Sequence, residues 1–329
     1  MPQNYYILKS GKLRRKGNTL YLKTNEEAKA IPINNVNSLF CFGEVDVNTK
    51  LLIFLSQNKI PVHFFNYYGF YVGSFYPREY LNSGLLLVKQ VEHYLNNEKR
   101  SFIAREFVSA ALFNILKNIG HYKKHGKDVS ENIEKIKENL RKLKEVKERR
   151  ELMGIEGDSR NIYYQTFSEI LRGDFNFEKR TRQPPKNMLN AMISFGNSLL
   201  YTVCLTEIYH TQLNPTISYL HEPSERRFSL SLDLAEIFKP VIVDKVIFRL
   251  INNQMINKQH FDRQLNFCYL KDNGKRLFLQ EFDSRLKTTI KHKHLKRNVS
   301  YQHLIRIECY KLIKHLLGDK EYKAFRVWW

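Results

Sequence analysis

Short apolar runs separated by turn formers occupy the first eighty or so positions. Tyr5-Tyr6-Ile7-Leu8, Leu20-Tyr21-Leu22, Ile31-Pro32-Ile33 and Ser38-Leu39-Phe40-Cys41-Phe42 are β-prone, with Gly17-Asn18 as a turn signal just before the second. Asn48 is suited to cap a helix over 49–58, where Leu51, Leu52 and Leu55 recur at helical spacing. Pro61-Val62-His63-Phe64-Phe65 reads as a buried strand, and Phe70–Phe75 as another after the turn Tyr67-Tyr68-Gly69. Pro77, Asn82, Ser83 and Gly84 break the pattern, and the period beyond them is helical. Ile133, Ile136, Leu140, Leu143 and Val146 form a narrow apolar stripe on a Lys/Glu-rich helix ending near Met153, after which Gly154 and Gly157 frame Glu156. Further helices are predicted over 160–171, 187–210, 229–237, 240–256, 277–290 and 300–317, with 271–276 as a polar turn or hairpin. The fold class that follows is α+β in two domains. Residues 1–82 form a small β-rich domain for packing and dimerisation, and residues 83–329 form a larger all-α domain that carries the candidate chemistry.

Composition narrows the partners. The chain has 329 residues, 43% hydrophobic and 13% aromatic, as a folded protein requires. Its formal net charge is +21, and residues 245–329 hold 19 Lys/Arg against 7 Asp/Glu, or +12 of that excess. A basic terminal quarter points to electrostatic capture of nucleic acid, beyond what a solvated surface needs. Cys41, Cys204, Cys268 and Cys309 are far apart and form no C-x-x-C pair, so they read as small buried hydrophobes in a reducing compartment. No basic stretch followed by an apolar core opens the chain, and the apolar run 188–209 contains Asn190, Ser194, Asn197, Ser198 and Glu207. The expectation is a cytoplasmic protein in which that run is a buried helix, not a membrane span.

Four residues stand in apolar or turn-forming surroundings where a charged group needs a partner: Glu156, His221, Asp233 and Glu236. Two or three carboxylates and an imidazole make a mixed oxygen and nitrogen site for a divalent metal. Asp233 and Glu236, three apart in Leu232-Asp233-Leu234-Ala235-Glu236, fall on one helix face, where two buried like charges repel unless a cation or proton relieves them. The ordinary alternative is an ion pair with Arg226, Arg227 or Lys239, and for His221 a hydrogen-bonded core role. Pro223 disfavours helix at Glu222, which places His221 at a helix end or in a fixed loop. Lys179-Arg180-Thr181-Arg182-Gln183-Pro184-Pro185-Lys186 sets cations before a rigid Pro-Pro and a helix start, an arrangement suited to phosphate, with Arg180 and Arg182 as a bidentate clamp. A loop with solvated charges is the plainer reading of the same segment.

Taken in order, M-G-x-E-G at 153–157, R-x-R-x-P-P-x-N-x-x-N-A from Arg180, L-H-E-P-S from Leu220 and L-D-L-A-E-x-F-K-P-x-x-V-D from Leu232 resemble the CRISPR-associated integrase of the spacer-acquisition module. Ile31-Pro32, Phe42-Gly43, Ile60-Pro61-Val62 and Tyr68–Gly73 extend the resemblance over nearly the whole chain. The resemblance implies a β-domain followed by a helical domain, and metal ligands Glu156, His221 and Glu236 with Mg²⁺ or Mn²⁺. Asp233 is then the inner companion that orients a ligand water or His221, and Asp244 structural support. Arg182 and Asn190 match residues beside the active site. Double-stranded and branched DNA, a homodimer and a small adaptation partner protein are the implied partners. Arg180, Arg182, Lys186, Asn190, Lys287, Lys291, Lys293, Lys296 and Arg297 are the candidate nucleic-acid contacts, the last five holding the backbone without reading bases.

The resulting functional expectation is a metal-dependent DNA endonuclease and integrase that inserts short DNA segments into a CRISPR array by 3′-hydroxyl attack on a phosphodiester, with Glu156, His221 and Asp233 as catalytic residues. No G-x-x-x-x-G-K-[ST] loop is present, as suits exchange of one phosphodiester for another without nucleotide hydrolysis. A non-catalytic basic nucleic-acid-binding protein with a structural acidic cluster is the alternative, and a structural scaffold the third reading.

Overall fold

Residues 2–146, 148–182, 184–223, 228–264, 267–293 and 295–328 are described in a computed structural model of the full chain. The amino-terminal strands are β1 (Gln3–Ile7), β2 (Gly11–Lys16), β3 (Thr19–Lys23), β4 (Ala28–Pro32), β5 (Val36–Cys41), β6 (Val45–Asp46), β7 (Val62–Phe65) and β8 (Tyr71–Phe75), with helix α1 (Thr49–Gln57) between β6 and β7. They form two four-stranded sheets, β1-β5-β7-β8 and β4-β3-β2-β6. β5 and β7 are parallel, so the chain needs a crossover between them, and α1 lies in it. Asn48 caps α1 as expected, its side chain accepting from Leu51 N at 3.0 Å. Ile7, Leu13, Leu20, Leu39, Leu51, Leu55 and Val62 share one core. β2 was not predicted, because only Leu13 of its sequence GKLRRK is buried, and its pairing with β3 makes it a strand.

Beyond Ser83, which caps the next helix through Leu86 N, the chain is mostly helical. The helices are α2 (Gly84–Leu95), α3 (Asn97–Lys124), α4 (Ser130–Lys142), α5 (Arg149–Gln165), α6 (Phe167–Ile170), α7 (Met188–Tyr209), α8 (Ser229–Phe238), α9 (Val243–Asn252), α10 (Asp272–Lys287) and α11 (Tyr301–Leu316). Two short antiparallel ribbons interrupt this region, which is therefore not wholly α: β9 (Phe261–Gln264) with β10 (Phe267–Leu270), and β11 (Thr289–Lys291) with β12 (Asn298–Ser300). Residues 272–276 are the first turn of α10, not a hairpin, with Asp272 favourably placed at the helix amino terminus.

α7 is the described helix long and apolar enough to cross a membrane, yet 83% of that stretch is buried in the protein. It is the central core helix. Gly196 lets it approach its neighbours, since a Cβ there would lie 2.5 Å from Val243 Cγ1 on α9 and 2.9 Å from Phe278 Cζ on α10. Phe40, Phe42 and Phe65 of the strand region pack in the same cluster as α7 and α8, so the two regions share a core across their seam.

His63 ties that seam. Its Nε2 is 2.8 Å from Thr206 Oγ1 on α7 and its Nδ1 is 2.7 Å from Ser74 Oγ on β8. Thr206 Oγ1 donates to Thr202 O, so it accepts from Nε2–H, and the ring is neutral with Nδ1 accepting. Burial pushes the ring's pKa from 6.5 down to about 3. A depressed histidine pKa contributes stability that is complete above about 6.5 and declines as pH falls toward 3, by about 1.4 kcal/mol per pH unit. Urea unfolding at pH 7.5 and 5.5 is expected to show a loss of about 1 kcal/mol or more from this residue that His63→Gln abolishes; an unchanged pH difference in the variant would refute it.

Candidate metal centre

Glu156 does not lie in a turn. α5 runs through Gly154 and Gly157, and a Cβ at either would meet nothing within 4 Å, so neither glycine is sterically required. Glycine costs a helix only about 1 kcal/mol relative to alanine. Burial of Leu152, Ser159, Tyr163 and Tyr164 on one side of α5 outweighs that. The predicted single helix over 133–153 is instead two, α4 ending at Lys142 and α5 starting at Arg149. Glu156 thus stands on a helix beside Arg160, one turn on.

Asp233 is fully buried on α8 and organises the loop that carries His221. The backbone N–H groups of Tyr219, Leu220 and His221 donate to its carboxylate at 2.7, 3.0 and 3.0 Å. His221 Nδ1 lies 2.7 Å from Asp233 Oδ1. Burial acts to lower the His221 pKa, but the hydrogen bond and charge of Asp233 outweigh it and hold the ring above its usual value. Ser218 Oγ donates to His221 O at 2.7 Å. From outside, Arg100 Nε donates to Tyr219 O and Arg149 Nη1 to Leu220 O, both at 3.0 Å, and Glu222 pairs with both arginines. Every polar backbone group of this turn named here has a partner, which fixes the imidazole with Nε2 as its remaining ring nitrogen.

Glu236, one turn along α8, is 5% exposed. Arg160 Nη2 lies 2.7 Å from its Oε2, and Lys239 Nζ pairs with its Oε1. Burial raises the Glu236 pKa, yet Lys239 and Arg160 together hold it well below the usual carboxylate range. Glu156 goes the other way: burial, then the Glu236 charge, raise it, with Arg160 at 3.5 Å and Lys239 opposing. Behind them, burial pushes Asp244 up to about 6 against Arg160. Glu156, His221, Glu236, Arg160 and Lys239 line one cavity of 1240 Å³, together with Arg180, Arg182, Tyr164 and Tyr201.

Among the described residues, no three His, Cys, Asp or Glu side chains are gathered into a ready ligand set. The donor chemistry nevertheless fits a hard divalent ion: two carboxylates and an imidazole face one cavity, and the raised Glu156 is a carboxylate short of positive charge. Arg160 and Lys239 supply the neutralising charge around Glu236, and Arg160 Nη1 is buried without a partner. Sequence spacing does not point to Arg160 as a partner of Glu236, because it reaches that residue only through α5 running on past Gly157. The E-x-x-x-R spacing from Glu156 is its only local signal. Lys239 is the partner the ordinary alternative named for the acidic pair; Arg226 and Arg227 lie outside the described residues.

The proposed phosphate clamp is only partly placed to act. Asn190 is 0% exposed and engaged within the protein: its Oδ1 accepts from Arg180 Nη1 and Thr181 N and its Nδ2 donates to Lys179 O. Arg180, also in the cavity wall, is held by Asn190 and Ser194 of α7 and by Thr181 O. The start of α7 is capped by its own Asn187, which accepts from Asn190 N. Arg182 and Lys186 are exposed, and Arg182 lines the cavity. Lys291, Lys293, Lys296 and Arg297 are exposed on the β11–β12 ribbon with no carboxylate partner among the described residues, whereas Lys287 pairs with Asp283 at 2.5 Å.

The family described as CRISPR associated protein Cas1 matches residues 5–284. The chain is 54% identical over 328 residues to a CRISPR-associated endonuclease Cas1 of Thermodesulfovibrio yellowstonii, covering 99% of this chain and 100% of that one. The solved structure of a Cas1 protein from Thermotoga maritima aligns with TM-score 0.89 at 46% identity, covering 98% of this chain and all of the other. A casposase bound to integration product shares the fold at TM-score 0.87 and 23% identity, covering 97% of this chain and 92% of that one.

Proposed function

The chain belongs to the Cas1 family, and from that premise we propose that it is a metal-dependent DNA endonuclease and integrase that inserts short DNA segments into a CRISPR array. The observation that carries this reading is the fixed His221, held by Asp233 over a cavity shared with Glu156 and Glu236. Those three residues would hold a Mg²⁺ or Mn²⁺ ion, which when bound supplies Lewis-acid polarisation of a phosphoryl oxygen. Asp233 keeps His221 in one orientation and one tautomer, with Nδ1 committed. Arg160 and Lys239 keep Glu236 ionised and ready to ligate. In strand joining a DNA 3′-oxygen forms a bond to phosphorus as the bond to the departing 3′-oxygen breaks. A proton leaves the attacker and one returns to the leaving oxygen, and the number of phosphodiesters is unchanged. Water as attacker gives cleavage. Arg182, Lys186 and the ribbon cations Lys291, Lys293, Lys296 and Arg297 would hold double-stranded or branched DNA by its backbone, with Lys287 beside them. A homodimer joined to a small adaptation partner is the proposed assembly.

A second reading is favoured by one observation: Glu236 is already neutralised by Arg160 and Lys239, as in a structural network. It makes the protein a nucleic-acid binder without catalysis. Incubating branched DNA with the protein and Mn²⁺, with and without chelator, separates the two. Cleavage is expected with metal, and its loss is expected with chelator and in Glu156→Ala. Salt-sensitive binding with no metal-dependent cleavage would overturn the catalytic reading.

A further inference from the structure

A second cavity, of 320 Å³, is walled by α9 and α10, and no residue lines both it and the cavity of Glu156, His221 and Glu236. Lys245, Arg249 and Arg285 face it, with Tyr122, Ser284 and Thr288. Adjacent residues of α9 have different surroundings. Asp244 interacts with Tyr163 and Arg160 beneath the candidate metal centre, and Lys245 turns to the second cavity.

The charge there is unbalanced. Glu281 is the carboxylate lining the cavity, and it pairs with Arg249 at 2.9 Å. Arg285 donates to Val241 O at 2.8 and 2.7 Å and to Tyr301 OH at 2.9 Å, and stacks on the Tyr301 ring. Those contacts orient its charge without cancelling it. Lys245 Nζ lies 5.3 Å from the centre of the Tyr122 ring and has no carboxylate partner among the described residues. Arg249 is exposed, but Lys245 and Arg285 are half-buried neighbours of like charge, which is unfavourable unless an anion joins them.

We propose that this cavity is a second anion site, which takes one phosphate group between Lys245, Arg249 and Arg285. Its size suits a partly hydrated phosphate, since one water needs only about 15 Å³. Burial, then Arg285, push the Lys245 ammonium down to about 8, with Asp244 opposing, the behaviour of a lysine lacking its counter-ion. Thr288, on the rim, leads directly into the ribbon that exposes Lys291, Lys293, Lys296 and Arg297. That continuity favours a polynucleotide backbone as the source of the phosphate over a free phosphate ion. The site is independent of the strand-joining chemistry.

The test uses the full chain with ¹³C-labelled lysine side chains. The Lys245 signal is assigned by its disappearance in Lys245→Met, and inorganic phosphate is titrated at constant ionic strength. A saturable shift of that signal is expected, weakened severalfold in Arg249→Gln. In parallel, duplex DNA affinity is measured against salt concentration, and Lys245→Met is expected to reduce the log–log slope by about 0.9, the contribution of one phosphate contact. Lys245→Met should fold at least as well as the parent, since it removes an unpaired half-buried charge. A phosphate shift alone would assign the site to free phosphate, and a slope change alone to a polynucleotide phosphate. An unmoved Lys245 signal together with an unchanged slope overturns the proposal.

Discussion

His221→Ala is expected to lower DNA cleavage and strand joining by about two to four orders of magnitude, the range that removal of a positioned catalytic group spans. The same variant is expected to stay folded. The His221 side chain is 26% exposed, so its removal leaves no sealed void. Its partner Asp233 is not stranded, because it keeps the backbone N–H groups of Tyr219, Leu220 and His221 as donors. The loss is then one side-chain hydrogen bond to a charged acceptor, about 1.5–3 kcal/mol at most. Strand joining on branched DNA and a thermal melt of the same preparation check both halves. Full joining by the folded variant would remove His221 from the proposed chemistry.

Asp233→Ala is expected to fail differently. It deletes the acceptor for the N–H groups of Tyr219 and Leu220, both buried, and of half-buried His221. A buried donor left unmade costs about 1–3 kcal/mol, so the two buried ones give an expected destabilisation of about 2–6 kcal/mol. Domains of this kind have only about 5–15 kcal/mol to lose. Asp233→Asn keeps one acceptor oxygen but turns an amide donor toward donors, and should fall between the two. Urea midpoints of the three proteins give the order. If Asp233→Ala unfolded at the parent midpoint, the His221 turn would not depend on this carboxylate. The pair of variants thus separates chemistry from architecture: His221 is removable with the fold intact, and Asp233 is not.

Much of the architecture was legible because it rests on local periodicity. The strands near Tyr5, Leu20, Ser38, Val62 and Tyr71, the Asn48 cap, and α7, α8 and α11 all follow from apolar spacing and cap residues within a short window. The failures were places where tertiary contacts overrode local preference. β2 is a strand by pairing, not by composition. α5 continues through two glycines because one side of it is buried. Asn190, which matched a residue beside the active site, acts from inside the protein, where its buried side chain holds the cavity-lining Arg180. Nothing in R-x-R-x-P-P-x-N-x-x-N separates the arginine of the cavity wall that is hydrogen-bonded to the protein, Arg180, from the exposed one, Arg182.

The order of elements, the basic terminal quarter, the burial of 188–209 and the identity of the acids and imidazole were determined along the chain itself, since each depends on spacing, charge or residue type. Only the tertiary structure decided which of those groups meet. It brought α5, α8 and the 219–222 turn to one cavity, gave Asp233 to the backbone and His221, and gave Glu236 to Arg160 and Lys239. It also left Lys245 facing a separate cavity without a counter-ion. The reason is physical: periodicity is set by neighbours a few residues away, whereas the ionisation and orientation of a buried group are set by charges and donors that folding carries in from distant positions.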